Sequence, residues 1–191
     1  MTRIPSAVLF ACTANAVRSP IAAALFRDAH GTRAYVESVG LEAGAPDPFV
    51  AVVLNECGIN GFDTHQPKTF DDLQDDNFEI IVALSREAFT RAQEITRTMH
   101  CEVVFWPTED PAEIEGNRET RLDAYRRVRD DLRARILREW PMDGVVPAEP
   151  GIPAEVGGAL VDDRRTRGVK VRRRGRDMWS RMRIGLRRIR R

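Results

Sequence analysis

The sequence predicts an α/β fold: a doubly wound, four-stranded parallel sheet with helices on both faces. Short apolar runs alternate with segments whose apolar residues recur every three or four positions, and this alternation continues to about residue 140. The first apolar run, residues 7–11, is of the kind that a strand buried on both faces needs. Strands separated by helices pair in parallel, because the chain has to cross back over the sheet between them.

The first sixty residues contain two predicted strands, at 7–11 and 34–39. Each is followed by a predicted helix, the first from Ser19 onward and the second from Pro48 to about Cys57. Ser19 is a good N-cap and Pro20 suits the first helical position, so the apolar run that follows continues as a helix. Gly40 closes the second strand, and the glycines at 58 and 61 end the second helix.

The next eighty residues repeat the pattern, with strands at 78–84 and 101–106 and helices from Arg86 to about Met99 and from near Arg118 to near Trp140. Ser85 is expected to cap the third helix. The apolar residues of the last helix form one face: Leu122, Tyr125, Val128, Leu132 and Ile136. In a parallel sheet the carboxyl ends of the strands share one edge, and ligands bind there.

The loop between the first strand and the first helix carries the residues suited to chemistry. Cys12 is its first residue and Arg18 its last, with five residues between them. A helix N-terminus offers free amides and a positive dipole end to an anion, and it favours the thiolate form of a nearby cysteine. The fork of Arg18 can grip two oxygens of a tetrahedral oxyanion. The loop predicts phosphoryl transfer to sulfur, and it lacks the Gly-Lys-Ser/Thr of a Walker loop.

This Cys-x5-Arg-Ser-Pro pattern resembles the active-site loop of the low-molecular-weight protein tyrosine phosphatases. It is similar also to the thioredoxin-type arsenate reductases, which share that fold, and the resemblance covers roughly residues 5–140. It implies that Cys12 is the nucleophile and that Arg18 binds phosphate together with the loop residues Thr13, Ala14, Asn15, Ala16 and Val17. Neither a metal nor a cofactor is expected, since Arg18 and the loop amides supply the positive charge.

Asp110 is the candidate general acid. It lies in the loop after the fourth strand, on the same sheet edge as Cys12, and it matches the Asp-Pro that supplies the acid in the resembled family. A carboxylic acid placed there can protonate the departing oxygen. The same residues, with Glu113 three positions on, also fit an N-cap with a capping box. We expect the first role and keep the second as its alternative.

Three further positions match the supporting network of the family: Asn15, Ser38 and His65. Ser19 belongs to the same set. Asn is the non-glycine residue best suited to the left-handed turn that such a loop needs. The hydroxyl of Ser19 can stabilise the Cys12 thiolate as a leaving group. His65 is expected to hold Asn15 or the loop backbone, and not to act as a base. Taken singly, Ser38 would be an ordinary strand-end residue and His65 a loop residue.

The loop departs from the family pattern at two positions. Ala14 stands where a glycine is usual, and Val17 stands where some phosphatases have a second cysteine. The arsenate reductases use two more cysteines near the end of the third strand, whereas residues 83–87 contain none. Cys57 and Cys101 are expected to be buried packing residues. An internal thiol relay is therefore not expected.

Aromatic residues that could flank the phosphate are sparse. The phosphatases sandwich a phosphotyrosine ring between aromatic side chains, whereas Ala112 and Glu113 follow Asp110 and its proline here. Phe49 and the strand-end Trp106 are the candidates for this contact. The sequence therefore predicts the phosphate chemistry and leaves the preference for phosphotyrosine open.

The C-terminal fifty residues differ in composition from the rest. A domain is expected over 1–140, a flexible linker rich in Pro, Gly and Ala over 141–168, and a basic tail over 169–191. The tail holds eleven Arg or Lys and one acid, so it carries +10 in a chain of net charge +1. Its apolar residues fall on one helical face: Trp179, Met182, Leu186 and Ile189. Such a tail suits an anionic membrane surface, with nucleic acid and contact with the acidic domain as alternatives.

Three functions stay open. We expect a phosphatase that hydrolyses phosphotyrosine or a small phosphomonoester, on a protein or a small molecule, through a phosphocysteine. The alternatives are an arsenate reductase that takes its resolving thiol from a separate partner, and a non-catalytic phosphate-binding regulatory module. The cysteines have no disulfide spacing and the N-terminus no signal-peptide pattern, so a cytoplasmic location is expected, peripheral to the membrane if the tail binds lipid. The oligomeric state is not predicted.

Overall fold

The structure, a computed structural model, describes residues 3–74, 77–97 and 100–142 of the 191-residue chain. Within them strands and α-helices alternate: β1 Ala7–Cys12, α1 Arg18–His30, β2 Tyr35–Gly40, α2 Pro48–Asn55, β3 Ile80–Ala83, α3 Arg86–Ile95, β4 Glu102–Phe105 and α4 Arg118–Glu139. The predicted order of elements is confirmed. The basic tail, and the predicted linker after residue 142, lie outside the described residues. No helix in the described part is long and apolar enough to cross a membrane.

The four strands form one parallel sheet in the order β2-β1-β3-β4. β1 lies between β2 and β3, and its Phe10 is in register with Ser38 on one side and Val82 on the other. The chain therefore winds away from β1 in both directions. In such a sheet the crevice beyond the carboxyl end of the strand at the switch point is where ligands bind, and here that end is Cys12.

Helices cover both faces of the sheet, as predicted. Val8 and Phe10 point to the face covered by α1, α2 and α4, while Leu9 and Ala11 point to the face covered by α3. All five predicted apolar positions of α4 are buried: Leu122, Tyr125, Val128, Leu132 and Ile136. Burying each such aliphatic side chain stabilises the fold by about 2 kcal/mol. The end of β1 is thereby fixed between two packed layers.

The start of α1 differs from the prediction. The helix begins at Arg18 with Val17 at the N-cap position, and no side chain caps it, so the assignment of Ser19 as N-cap is wrong. Pro20 falls inside the first turn, where the missing N–H costs nothing because that group has no partner within the helix. The cap predicted for α3 is confirmed, since Ser85 accepts a hydrogen bond from the amide of Ala88 at 3.2 Å.

Candidate active site

The Cys12 loop, residues 12–18, runs from the buried end of β1 to the first residue of α1. The amides of Leu41 and Gly44 fix it from outside by donating to the carbonyl oxygens of Thr13 and Ala14, both at 2.8 Å. The backbone amides of residues 13–17 have no acceptor among the described residues. Five consecutive free amides at a helix N-terminus are suited to an anion with several oxygens.

Arg18 is held inside this site, with 9% of its side chain exposed. Its Nη1 donates to the carbonyl oxygen of Thr108 at 3.1 Å, and its Nη2 donates to the hydroxyl of Thr13 at 3.2 Å. Nη2 also lies 2.8 Å from the carboxylate of Asp110. The buried Nε finds no hydrogen-bond partner in the described part of the chain. Because a buried N–H without an acceptor costs free energy, the guanidinium is prepared to bind an oxygen.

Asp110 is both a cap and a member of the site. Its Oδ1 accepts from the amide of Ala112 at 3.1 Å and caps the short 3-10 turn Pro111–Glu113, while its Oδ2 faces Arg18. The cap bond goes to Ala112 and does not form the capping box with Glu113. One oxygen thus fixes the side chain and the other points to the guanidinium. A quarter of the side chain is exposed, so it can exchange protons with water.

Asn15 holds the loop in shape. It is the one non-glycine residue with a positive φ, 49°, in the described chain, and it is fully buried. Its Oδ1 accepts from the amide of Lys68 at 2.9 Å, and its Nδ2 donates to the hydroxyls of Ser19 and Ser38, both at 3.0 Å. The Nε2 of His65 donates to its carbonyl oxygen at 2.9 Å. These four bonds maintain a backbone conformation that an L-residue rarely adopts.

His65 meets Asn15 as a neutral donor. The carbonyl oxygen of Asn15 can only accept, so Nε2 carries the proton. Burial lowers the pKa of His65, although the hydrogen bond to Asn15 opposes this shift. Its ring stacks on Phe62 with centroids 4.9 Å apart. These contacts hold the loop, and they direct His65 to the backbone of Asn15 and not to Cys12.

Ser19 connects Asn15 to Cys12. Its hydroxyl oxygen lies 3.0 Å from Sγ of Cys12 and 3.0 Å from the carbonyl oxygen of Val39. A carbonyl can only accept, so the single hydroxyl proton has two competing acceptors whenever Cys12 is ionised. With a thiol at Cys12 the Ser19 hydroxyl can go on donating to Val39, and with a thiolate it can donate to sulfur instead. The hydroxyl is therefore placed to stabilise negative charge on Cys12.

Alanine at position 14, where the family usually has glycine, is not strained, because Ala14 does not have a positive φ. A different glycine permits the loop to form. A Cβ on Gly40 would lie 2.5 Å from the carbonyl oxygen of Glu42 and 2.6 Å from the amide nitrogen of Asn15. The end of β2 can approach the Cys12 loop this closely only without a side chain.

Three groups that touch the site were not predicted. Ser85, expected only as a helix cap, also accepts a hydrogen bond from the hydroxyl of Thr13 at 3.2 Å. The other two are backbone groups, the amide of Lys68 and the carbonyl of Thr108. A sequence does not show where backbone groups point. For Ser85 a signal was present, since it follows β3 at the same sheet edge as Cys12.

The two aromatic candidates lie in different places. Trp106, a candidate for flanking the phosphate, packs into the core instead, against Phe10 with ring centroids 6.4 Å apart and against Trp140 at 5.6 Å. Phe49 lies edge-on to Tyr125 with centroids 5.3 Å apart. Phe49 is half-buried and belongs to the segment that follows the Gly44 contact to the loop.

The other two cysteines lie outside the site and are partly exposed rather than buried. Burial of the Cys101 side chain, together with nearby Glu102, raises the pKa of its thiol, against the direction that a reactive thiol needs. In the ranges that the structure describes, no three residues of the His, Cys, Asp and Glu types come together in a way that could hold a metal ion.

Comparison with protein families and curated proteins finds a phosphatase family model and relatives named arsenate reductase. The family model for low molecular weight phosphotyrosine protein phosphatase matches residues 7–140. An arsenate reductase of Shouchella clausii is 31% identical over 131 residues, which make up 69% of this chain and 92% of the relative. An arsenate reductase of Bacillus subtilis is 28% identical over 140 residues, or 72% of this chain and 96% of the relative.

Solved structures share the fold. YwlE arginine phosphatase from Geobacillus stearothermophilus has a TM-score of 0.58 at 25% identity, covering 70% of this chain and 90% of its own. An arsenate reductase from Archaeoglobus fulgidus has a TM-score of 0.53 at 28% identity, covering 69% and 96%. The Erwinia amylovora tyrosine phosphatase AmsI, at 21% identity, has a TM-score of 0.57 over 72% and 91%.

Proposed function

The chain belongs to the low molecular weight phosphotyrosine protein phosphatase family and is a cysteine-dependent enzyme, and on that basis we propose that it hydrolyses a phosphomonoester through a phosphocysteine on Cys12. The substrate is phosphotyrosine or a smaller phosphoester. One observation carries the proposal above all: the buried Nε of Arg18 and the amides of residues 13–17 lack acceptors among the described residues, beside the one buried cysteine there. A phosphoryl group supplies oxygens to these donors.

In the first step the Cys12 thiolate attacks phosphorus in line with the ester oxygen. The S–P bond forms as the P–O bond breaks, and Asp110 gives its proton to the departing oxygen. The loop amides and the fork of Arg18 bind the equatorial oxygens, where negative charge is spread in the transition state. When phosphate binds, Arg18 gives up its contact with Asp110 and binds phosphate oxygens instead. The carboxyl group of Asp110 then lies next to the leaving oxygen.

In the second step water attacks the phosphocysteine. Asp110, now a carboxylate, takes the proton of that water, the S–P bond breaks, and inorganic phosphate leaves. Cys12 departs as a thiolate, and the hydroxyl proton of Ser19 turns from Val39 to sulfur to stabilise it. Asn15, Ser38 and His65 act by holding the loop and touch no reacting atom.

Hydrolysis of para-nitrophenyl phosphate in the presence of a metal chelator, at mildly acidic pH, tests this proposal. We expect turnover by the wild type and by Cys57→Ser, the matched control for loss of a thiol. Cys12→Ser should fall to background while keeping its fold by circular dichroism. Turnover that persists in Cys12→Ser would contradict the proposal, as would an inactive wild type.

Arsenate reduction is the second candidate, and the curated relatives at 28–31% identity favour it. Cys12 would bond to arsenic with loss of water, and an external thiol would attack the Cys12 sulfur, so that the S–As bond breaks, arsenite leaves with two electrons and a mixed disulfide forms for a second thiol to reduce. The thiol has to be external because Cys57 follows α2 and Cys101 precedes β4, away from the Cys12 loop. The test is release of arsenite from arsenate with glutathione or a glutaredoxin-like protein added. Thiol-dependent arsenite release without phosphatase turnover would select this reaction, and phosphate binding without either reaction would indicate a regulatory module.

We further propose a cytoplasmic location, which suits a working thiolate, and an anionic surface as the partner of residues 169–191. The sequence of that tail supports the proposal through its charge of +10 and its Trp-bearing apolar positions. Co-sedimentation of the full chain with vesicles containing phosphatidylserine, with and without duplex DNA as competitor, tests it. Binding to vesicles supports a membrane role, and binding to DNA alone supports the nucleic-acid alternative.

A further inference from the structure

Two arginines at the start of α4 lie over one phenylalanine ring. The guanidinium carbon of Arg121 is 4.8 Å from the centre of the Phe49 ring, and that of Arg118 is 5.8 Å from it. Neither side chain forms a hydrogen bond or an ion pair with any residue in the described ranges. Arg118 is exposed and Arg121 half-buried. Two like charges share one aromatic surface, and no carboxylate of the described residues forms an ion pair with either.

Three other arginines of the same helix form ion pairs. Arg126 contacts the carboxylates of Glu56, Glu119 and Asp123, Arg129 those of Glu56 and Asp130, and Arg133 that of Asp28. The acids in the first turns of α4, Glu119 and Asp123, both contact Arg126. Neither of them forms an ion pair with Arg118 or Arg121.

The pair lies beside the catalytic site. Tyr125 packs edge-on against Phe49, and its hydroxyl donates to Asp47 at 2.6 Å, in the segment that continues from the Gly44 contact with the Cys12 loop. Burial and the hydrogen bond to Asp47 raise the pKa of Tyr125, and the nearby charge of Arg121 opposes this shift while that of Asp110 adds to it. Through Tyr125, the Phe49 ring is connected both to the segment that contacts the Cys12 loop and to the charge of Asp110.

A guanidinium that rests flat on an aromatic ring keeps its N–H groups free at its edge, where they can make paired hydrogen bonds to a phosphate or a carboxylate. We propose that Arg118 and Arg121, supported by Phe49, form a second anion-binding subsite, and that the enzyme selects phosphomonoesters that carry a further anionic group. The inference rests on the proposed function and names its substrate class. The second group is a phosphate or a carboxylate of the same substrate molecule.

Binding to the full-length Cys12→Ser variant tests the subsite without requiring turnover. Two matched pairs of probes are compared by calorimetry. One pair is a phosphotyrosine peptide flanked by Asp and the same peptide flanked by Asn, and the other is 1,4-phenylene bisphosphate and phenyl phosphate. We expect the more anionic member to bind about threefold to tenfold more tightly, the range that one or two partly exposed charge pairs give. The ratio should shrink as salt is added.

Arg118→Ala combined with Arg121→Ala should lower this ratio to what the basic tail alone gives. Arg138→Ala is the matched control, since Arg138 lies on the same helix about 30 Å away along its axis and is exposed. The basic tail is common to all variants, so its attraction for acidic probes cancels in the comparison. A preference in the peptide pair points to acidic phosphopeptides, and one in the bisphosphate pair points to small bisphosphates.

A ratio of one before mutation in both pairs, or a ratio that the double variant leaves unchanged, would overturn the inference. The charge-preserving Arg121→Lys variant should keep part of the preference, which separates loss of charge from a local rearrangement. If para-nitrophenyl phosphate were not turned over by the wild type, the proposed hydrolysis would fail, while an arginine-dependent ratio would still establish the subsite.

Discussion

Arg18 and Asp110 share a single contact, Nη2 to Oδ2 at 2.8 Å, that joins the phosphate-binding group to the proton donor. The two side chains pair with each other, and each is also held by other hydrogen bonds: Arg18 by Thr13 and Thr108, and Asp110 by Ala112. A phosphate can therefore replace one contact without freeing either side chain. Preorganisation of this kind lowers the cost of reaching the transition state.

Asp110→Asn should separate leaving-group protonation from phosphate binding. The amide keeps the acceptor for Ala112 but has no acidic proton, so kcat/KM for phenyl phosphate, which reports only the steps up to the phosphocysteine, should fall about 10²-fold to 10⁴-fold. The loss with para-nitrophenyl phosphate should be smaller, because para-nitrophenolate leaves without needing a proton. Glu109→Gln, at the neighbouring exposed carboxylate, is the control and should retain activity. Equal losses on both esters would contradict the role of Asp110 as the acid.

Thr13→Val should show what the unpredicted hydroxyl chain contributes. The hydroxyl of Thr13 accepts from Arg18 and donates to Ser85, so valine removes two hydrogen bonds with little change in shape. A hydrogen bond to a charged group contributes about 1.5–3 kcal/mol, so kcat/KM should fall roughly tenfold to a hundredfold. Thr13→Ser keeps the hydroxyl and should recover most of the rate. Wild-type kcat/KM in Thr13→Val would show that Thr13 does not position Arg18.

At the level of elements, the Cys12 loop depends on how closely β2 approaches it. Gly40 ends β2, and a Cβ there would collide with the amide nitrogen of Asn15 at 2.6 Å. Gly40→Ala should therefore displace the loop, weaken inhibition by inorganic phosphate, and lower the free energy of unfolding by about 1–3 kcal/mol. Gly58→Ala is the control: it has a positive φ of 79° but no neighbour within 4 Å, so it should cost stability alone. Unchanged phosphate inhibition in Gly40→Ala would contradict this account.

Much of the element pattern could be predicted because parallel strands and their helices leave strong apolar periodicities. The errors have physical reasons. Ser19 has the side chain of a good N-cap, but its hydroxyl bonds to Val39 and Asn15 and lies against Cys12, so it does not cap α1. Trp106 follows β4 on the same face as Val104, which packs on the side of the sheet covered by α1, α2 and α4, and strand alternation would have indicated this.

The hydroxyl chain through Ser85 could not be predicted in the same way. It depends on the register of β1 with β3, where Ala11 pairs with Ala83, and that register places Thr13 and Ser85 within reach. A single sequence gives the strands but not their offset. The same limit applies to the backbone contacts of Lys68 and Thr108, which are set by loop conformation.

Across the whole molecule, His30 introduces a dependence of stability on pH. It is 2% exposed, neither ring nitrogen has a partner in the described chain, and its ring lies 4.6 Å from that of Phe26. Burial, and then the nearby charge of Arg33, lower its pKa in the folded state. The unfolded chain therefore takes up a proton at a higher pH than the folded chain does. The effect of His30 on the free energy of unfolding is therefore absent above the ordinary histidine pKa of about 6.5, and the protein loses stability as the pH drops below it.

His30→Leu should flatten this dependence. Urea unfolding between pH 7 and pH 5 should show the wild type losing stability as the pH falls, and the variant losing less. The lowered carboxylate pKa values of Glu37 and Glu79 act at lower pH and in the same direction in both proteins. His100→Gln, a change at an exposed histidine, is the control and should behave as the wild type. Identical pH slopes in wild type and His30→Leu would contradict the assignment to His30.

The most direct test of the central claim is to trap the phosphoryl group on sulfur. The wild type is mixed with para-nitrophenyl phosphate, quenched in acid within one turnover, digested and examined by mass spectrometry. The mechanism predicts a phosphorylated peptide containing Cys12, with the same label in Cys57→Ser and in Cys101→Ser. Asp110→Asn, which also lacks the base for the second step, should still show the label. Turnover with no phosphate on Cys12, or with phosphate on another residue, would contradict the account.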